Sequence, residues 1–132
     1  MPASPSMPSG PNRRRHKRVV YRDPVQVTIV GSLDQHVHAL LAEDVSESGL
    51  ALNSAAFFAI GSRLLLELAA PDDPAPIRLL GRIVWTAQRG FEDHYRLGVE
   101  FQEVSDEARE QLRLLVRSRA MTGANPVDAY GR

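Results

Sequence analysis

This chain predicts an all-β dominated fold, a six-stranded antiparallel β-barrel with a C-terminal α-helix. Three observations carry the expectation. Apolar residues recur with a period of two from about residue 25 to residue 101, the mark of half-buried strands. Glycine and proline turn signals separate the runs, and a single stretch of helical period closes the sequence. Many short strands with one terminal helix fit a small barrel whose helix covers an opening.

The elements follow in order. Residues 1–12 carry Pro2, Pro5, Pro8 and Pro11 with serines between them, and a segment of this composition is expected to be disordered. Val25, Val27 and Ile29 alternate with polar partners until Gly31-Ser32 opens a turn. Val37, Ala39 and Leu41 mark the next strand, which ends at an acidic turn, and Leu50 and Leu52 resume after Gly49. Leu64 to Leu68 follow Gly61-Ser62, and Pro71-Asp72-Asp73-Pro74 breaks the chain sharply. Ile77 to Thr86 is a long strand with Gly81 as a bulge or bend, and Leu97, Val99 and Phe101 share one face of the last strand.

Ser105 is the expected N-cap of the helix, with Asp106 and Glu107 in its positive first turn. Ala108, Leu112, Leu115 and Val116 form its apolar stripe. Arg113, Arg117 and Arg119 are expected near its C-terminal end, where cations suit the dipole. Residues 120–132, with Gly123, Asn125, Pro126 and Gly131, read as a second loose tail, leaving one folded domain over 13–119.

Composition narrows the function. A chain of 132 residues can bury a core without staples. Zero cysteines fit a reducing compartment and exclude thiolate metal sites and cysteine nucleophiles. No apolar run approaches the roughly 20 residues of a membrane span, and the N-terminus lacks the apolar core of a signal peptide. A cytoplasmic protein is expected. Net charge is zero, yet Arg13, Arg14, Arg15, Lys17, Arg18 and Arg22 all precede the first acid, Asp23. All but Lys17 are arginines, whose planar fork binds phosphate or the O6/N7 edge of guanine bidentately.

Two short pieces carry the chemistry. Arg13-Arg14-Arg15-His16-Lys17-Arg18 is a phosphate-attracting arm, and Asp44-Val45-Ser46-Glu47-Ser48-Gly49 is an acidic turn. Alone, the arm reads as a solvated segment and the turn as an ordinary turn held by its own side chains. Together they suggest a pocket for a phosphate-containing guanine ligand. An ionised Asp44 is acceptor-only and matches the guanine N1–H and N2–H donors, a pair adenine lacks. Ser46 can donate to an oxygen or hold the turn together, and Gly49 supplies positive φ or room for a close approach.

The pattern Arg14-x-x-x-Arg18 followed by Asp44-x-Ser46-x-x-Gly49 resembles the PilZ domain, a bacterial receptor module for cyclic di-GMP. Gly81-Arg-Ile-Val-Trp85 and Tyr95-Arg-Leu-Gly-Val-Glu-Phe101 resemble the later strands of that family. The likeness implies that Arg14, Arg18, Asp44, Ser46 and Gly49 form the ligand site. It also implies a stacked ligand dimer where an arginine precedes the first motif, as Arg13 does here. Arg13, Arg15 and Gly98 are the candidate additional contacts. The output implied is control of motility, polysaccharide or virulence through an unidentified downstream protein or a ligand-linked change of oligomeric state.

The other candidates read as structural. His36-x-His38 places two imidazoles on one strand without further ligands, so packing is expected rather than metal. Trp85 is expected in the core, and Phe57-Phe58 in the core or as a barrel-end plug. Glu43, Asp44 and Glu47 lack a nucleophile to serve, so no catalytic residue and no cofactor is assigned. The alternative is a nucleotide-independent adaptor of the same fold, for instance in pilus assembly, in which the five motif residues have no task. A nucleic acid polymer or anionic lipid would suit the arm but leaves Asp44 unexplained, because a carboxylate repels both.

Overall fold

The computed structural model describes residues 17–33, 35–90 and 93–130, with side chains described as far as Met121. The expected N-terminal tail and the arm residues Arg13, Arg14 and Arg15 lie outside the described residues. Seven strands and one helix follow: β1 (Val19–Val20), β2 (Pro24–Ile29), β3 (Val37–Val45), β4 (Gly49–Ser54), β5 (Arg63–Leu68), β6 (Ile77–Gln88), β7 (Tyr95–Gln102) and α1 (Asp106–Tyr130). All pairings are antiparallel. The order β3-β2-β5-β6-β7-β4 returns to β3 and closes a six-stranded barrel. The two-residue β1 adds to the free side of β3, pairing Val19 with Val45 and Val20 with Asp44.

The core is what the alternation builds. Val25 and Val27, Leu64, Leu66 and Leu68, Ile77 and Ile83, and Leu97 and Val99 point inward. Each such aliphatic side chain contributes roughly 1.5–3 kcal/mol on burial. On β3 the expected phase is reversed: Val37 and Leu41 are half exposed, whereas Leu40 and Ala42 are buried. Both parities of this strand are apolar, so its pattern alone does not choose a face. Pairing chooses, because Val25 and Val27 are fully buried and stand opposite Leu40 and His38. His38 therefore faces the barrel end, where its ring meets Phe58 edge-on at 5.3 Å and His36 at 4.5 Å. Phe58 is buried, but Phe57 is 63 % exposed and packs edge-on to Tyr95.

The expected bulge at Gly81 falls further along the same strand. Gly81 pairs regularly with Phe101, and the ladder slips between Ile83 and Trp85. A second bulge lies between Ala42 and Asp44.

Helix α1 starts as its sequence dictates. The Ser105 hydroxyl accepts the Ala108 N–H at 3.1 Å, an N-cap bond, and Asp106 and Glu107 occupy the first turn. Ala108, Leu112 and Leu115 are buried against the barrel, with Val116 and Ala120 packed beside them. The C-terminal end differs from expectation, since the backbone stays helical to Tyr130 through the segment read as a loose tail. Extension adds one hydrogen bond per residue once a helix is nucleated, and Ala120 still holds the chain against the core. Consequently Arg113 and Arg119 are mid-helix and no basic residue occupies the last turn. They serve ion pairs instead of the dipole, Arg113 with Glu47 and Glu110 and Arg119 with Asp23.

Candidate functional site

The acidic turn joins β3 to β4. Ser46 is 1 % exposed, and its hydroxyl accepts the N–H of Ser48 at 3.1 Å and of Gly49 at 3.2 Å. The Ser46 N–H donates to the Gly49 carbonyl at 2.8 Å. The Ser46 hydroxyl thus helps hold the turn together, one of the two roles expected of it. Gly49 is not at positive φ. A Cβ there would sit 2.3 Å from the Val99 carbonyl oxygen, so the missing side chain lets β4 lie close against β7.

Asp44 lies near the end of β3, just after the bulge. Simple alternation from the inward Ala42 would turn Asp44 inward as well. The extra residue places Glu43 and Asp44 both outward and returns Val45 to the core. The Arg18 guanidinium donates to the Asp44 carboxylate at 2.5 Å across 26 residues of sequence. Arg18 and Asp44 are thus brought together, as the motifs suggest, and their side chains remain 29 % and 27 % exposed.

From Asp44 a row of cross-strand partners runs over the outer surface: Asp44 opposite Ala51, Ala51 opposite Gly98, Gly98 opposite Trp85. Both ends of this row follow a bulge, and its floor is made of the two smallest residues. Trp85 is not in the core. It is 38 % exposed, and its indole lies on Gly98, where a Cβ would stand 2.1 Å from the ring. Gly98 is therefore the seat of the tryptophan. A lone strand tryptophan gives no such signal in one dimension, because the glycine beneath it comes from the neighbouring strand.

The neighbouring arginines and Glu43 are the residues that motif reading does not single out as a group. Arg96 binds the Glu43 carboxylate through Nε at 2.9 Å and through its terminal nitrogen at 2.7 Å, and its guanidinium lies 5.5 Å from the Trp85 ring centre. Arg89 reaches the other oxygen of Glu43 at 3.1 Å. His94 and Asn53 share a hydrogen bond of 3.1 Å beside them. Burial by itself would raise the Glu43 pKa; hydrogen bonds from Arg96 and Asn53, with the Arg96 and Arg89 charges, outweigh it and lower the pKa. The surface so built offers cationic forks, a carboxylate acceptor and an exposed aromatic face. Among the described residues no group of three or more histidines or carboxylates could hold a metal ion. No described helix is long and apolar enough to cross a membrane.

Comparison with known proteins adds a family and a set of similar folds. The family model described as the PilZ domain matches residues 12–118. No curated protein matches the chain by sequence. Among solved structures, the Bacillus subtilis inhibitor of motility MotI/DgrA is similar at a TM-score of 0.68 and 18 % identity, covering 83 % of this chain and 52 % of that one. The PilZ domain of YcgR from Escherichia coli, solved with c-di-GMP, gives 0.67 and 18 %, covering 88 % and 98 %. The K. pneumonia MrkH–c-di-GMP complex gives 0.64 and 12 %, covering 86 % and 55 %. The chain thus spans about half the length of MotI/DgrA and MrkH and nearly all of the isolated YcgR domain.

Proposed function

This chain belongs to the PilZ domain family, and we propose that it is a cytoplasmic receptor that binds cyclic di-GMP without chemical turnover. The observation that carries the reading is the Arg18–Asp44 pair at the edge of the outer row. The two ligand-reading groups lie 26 residues apart and meet on one surface. Similar folds solved with c-di-GMP, such as the YcgR domain and MrkH, support the choice of ligand.

In this reading Arg14 and Arg18 take phosphate oxygens or a guanine O6/N7 edge, and Asp44 takes the N1–H and N2–H of guanine. The ligand must first part Arg18 from Asp44. A partly exposed surface ion pair is worth roughly 0–1 kcal/mol, whereas hydrogen bonds to charged groups contribute about 1.5–3 kcal/mol each. Exchange therefore favours the ligand. Ser46 and Gly49 act by shape, fixing the turn that carries Asp44. Trp85, on its glycine seat, offers a face to a purine, and Arg96 stands beside it. Arg13 and Arg15 extend the cationic arm, and Arg13 is the residue that would lie on a second guanine in a stacked ligand dimer. The signal then passes to another protein or to a changed oligomeric state, with motility, polysaccharide or virulence as the outputs.

Isothermal titration of cyclic di-GMP into the wild type, Arg18→Ala and Asp44→Ala, with cyclic di-AMP as control, tests the reading. Micromolar or tighter binding that prefers guanine and is lost in both variants is expected. No binding to the wild type in titration and in an orthogonal assay would overturn it and bring the nucleotide-independent adaptor forward.

A further inference from the structure

The chain between the arm and the barrel faces two ways. Arg18 turns to Asp44, and Val20, opposite Asp44, is exposed on the same surface. Val19 and Tyr21 turn to the core and are buried. The Arg119 guanidinium of α1 lies 5.0 Å from the Tyr21 ring centre and binds Asp23 at 2.5 Å. Burial and the Asp23 charge raise the Tyr21 pKa, with Arg119 and the Ala69 backbone acting against them, so the phenol stays neutral at physiological pH. A second link starts inside the acidic turn. Glu47, between Ser46 and Ser48, binds Arg113 of α1 at 3.5 Å, and Arg113 also binds Glu110 at 3.2 Å.

Both halves of the ligand site are therefore tied to the same helix, the arm through Tyr21 and Asp23 on Arg119, the turn through Glu47 on Arg113. We propose that α1 is the output element of this protein, and that Arg113 and Arg119 are the positioning residues through which occupancy of the Arg18–Asp44 surface changes the seating of α1. The inference rests on the receptor reading. Parting Arg18 from Asp44 releases β1 at one end, and Val19 and Tyr21 carry that release under the helix. A change in α1 reshapes the open cleft of about 550 Å³ that Leu114, Arg117 and Met121 form with the loop at Ala70 and Pro71.

The test is hydrogen–deuterium exchange of peptides covering 106–121, referenced to β5, in the full chain with and without saturating cyclic di-GMP. The wild type is expected to change α1 exchange by about tenfold, within the usual range of coupling between sites. The double variant Arg113→Ala/Arg119→Gln is expected to bind cyclic di-GMP in titration while its α1 response falls below about twofold. An unchanged α1 in the saturated wild type overturns the coupling, as does a full response in the double variant. If the wild type does not bind, the receptor reading fails separately, and the coupling is judged without ligand. Arg18→Ala should then still alter α1 exchange relative to β5, whereas Arg78→Ala, which breaks the Arg78–Glu67 pair, should not. Equal effects of these two variants would overturn the coupling as well.

Discussion

Glu43 and Asp44 are neighbouring carboxylates on one bulge, almost equally exposed, yet the chain treats them differently. Glu43 is held by Arg89 and Arg96, which flank and belong to β6 and β7, strands locked by the barrel's own pairing. Asp44 is held by Arg18, which precedes the two-residue β1 at the end of the arm. The first carboxylate is clamped from inside the closed sheet, and the second is met by a group on its edge. The difference teaches which is structural and which is exchangeable. On the receptor reading proposed above, a ligand replaces Arg18 at Asp44 by moving a short segment, whereas freeing Glu43 would disturb the β6–β7 hairpin.

The largest effect should come from the turn that follows both carboxylates. Gly49→Ala puts a methyl into the Val99 carbonyl. The expected cost is about 2–3 kcal/mol of stability, as for overpacked sites. Urea unfolding measures it, and a cost under about 0.5 kcal/mol, as at an unconstrained surface position, would show that β4 relaxes and that the close approach is unimportant.

Next comes a crossed pair of substitutions. Asp44→Asn should cost cyclic di-GMP affinity about 10- to 100-fold, the worth of a charged hydrogen bond, with stability nearly unchanged because its single surface ion pair is to a short edge segment. Glu43→Gln should do the reverse, lowering stability by roughly 1 kcal/mol for two lost arginine contacts while cyclic di-GMP still binds. Identical profiles for the two variants, by titration calorimetry and urea unfolding, would erase the distinction.

The smallest effect is in pH. The Glu43 pKa is lowered on folding, so its contribution is fully present above the ordinary glutamate range and is lost as pH falls through the folded value. The melting-temperature gap between wild type and Glu43→Gln should therefore be widest near neutrality and close in acid below about pH 4. A gap that stays constant from neutrality to pH 3 would mean that the glutamine loses packing rather than charge.

Much of this was legible in the residues, and the exceptions share a cause. The strand runs, the Ser105 cap and the apolar stripe of α1 are local patterns, written within a few residues of where they act. The phase of β3 is not local, because Leu40 and Leu41 are equally apolar and only Val25 and Val27 opposite decide between parities. Trp85 was expected inside because nothing near it in sequence announces Gly98 as its seat. Arg113 and Arg119 suggested a helix end until the helix proved longer and their acidic partners, Glu47 and Asp23, came from the barrel. Of the residues read as a candidate site, Arg18 and Asp44 are in contact, Ser46 and Gly49 shape the turn, and Arg14 falls outside the described residues. What sequence spacing conveys poorly is the cross-strand neighbour.

The bulge on β3 has a meaning for how such a chain can vary. It is one odd residue set into a pattern that counts in twos. Ala42 inward, Asp44 outward and Val45 inward is already a regular series if Glu43 is skipped. A deletion at that point would leave the core side chains and Asp44 facing as before, removing the second carboxylate with its arginine clamp and the carbonyl that accepts the Tyr21 N–H at 3.1 Å. An insertion or deletion on the far side of Asp44, within Val45–Gly49, would instead unmake the hydrogen-bonded turn. The two sides of a single aspartate thus tolerate length change very differently, and a lineage could gain or lose the clamp without ever passing through a misfolded barrel.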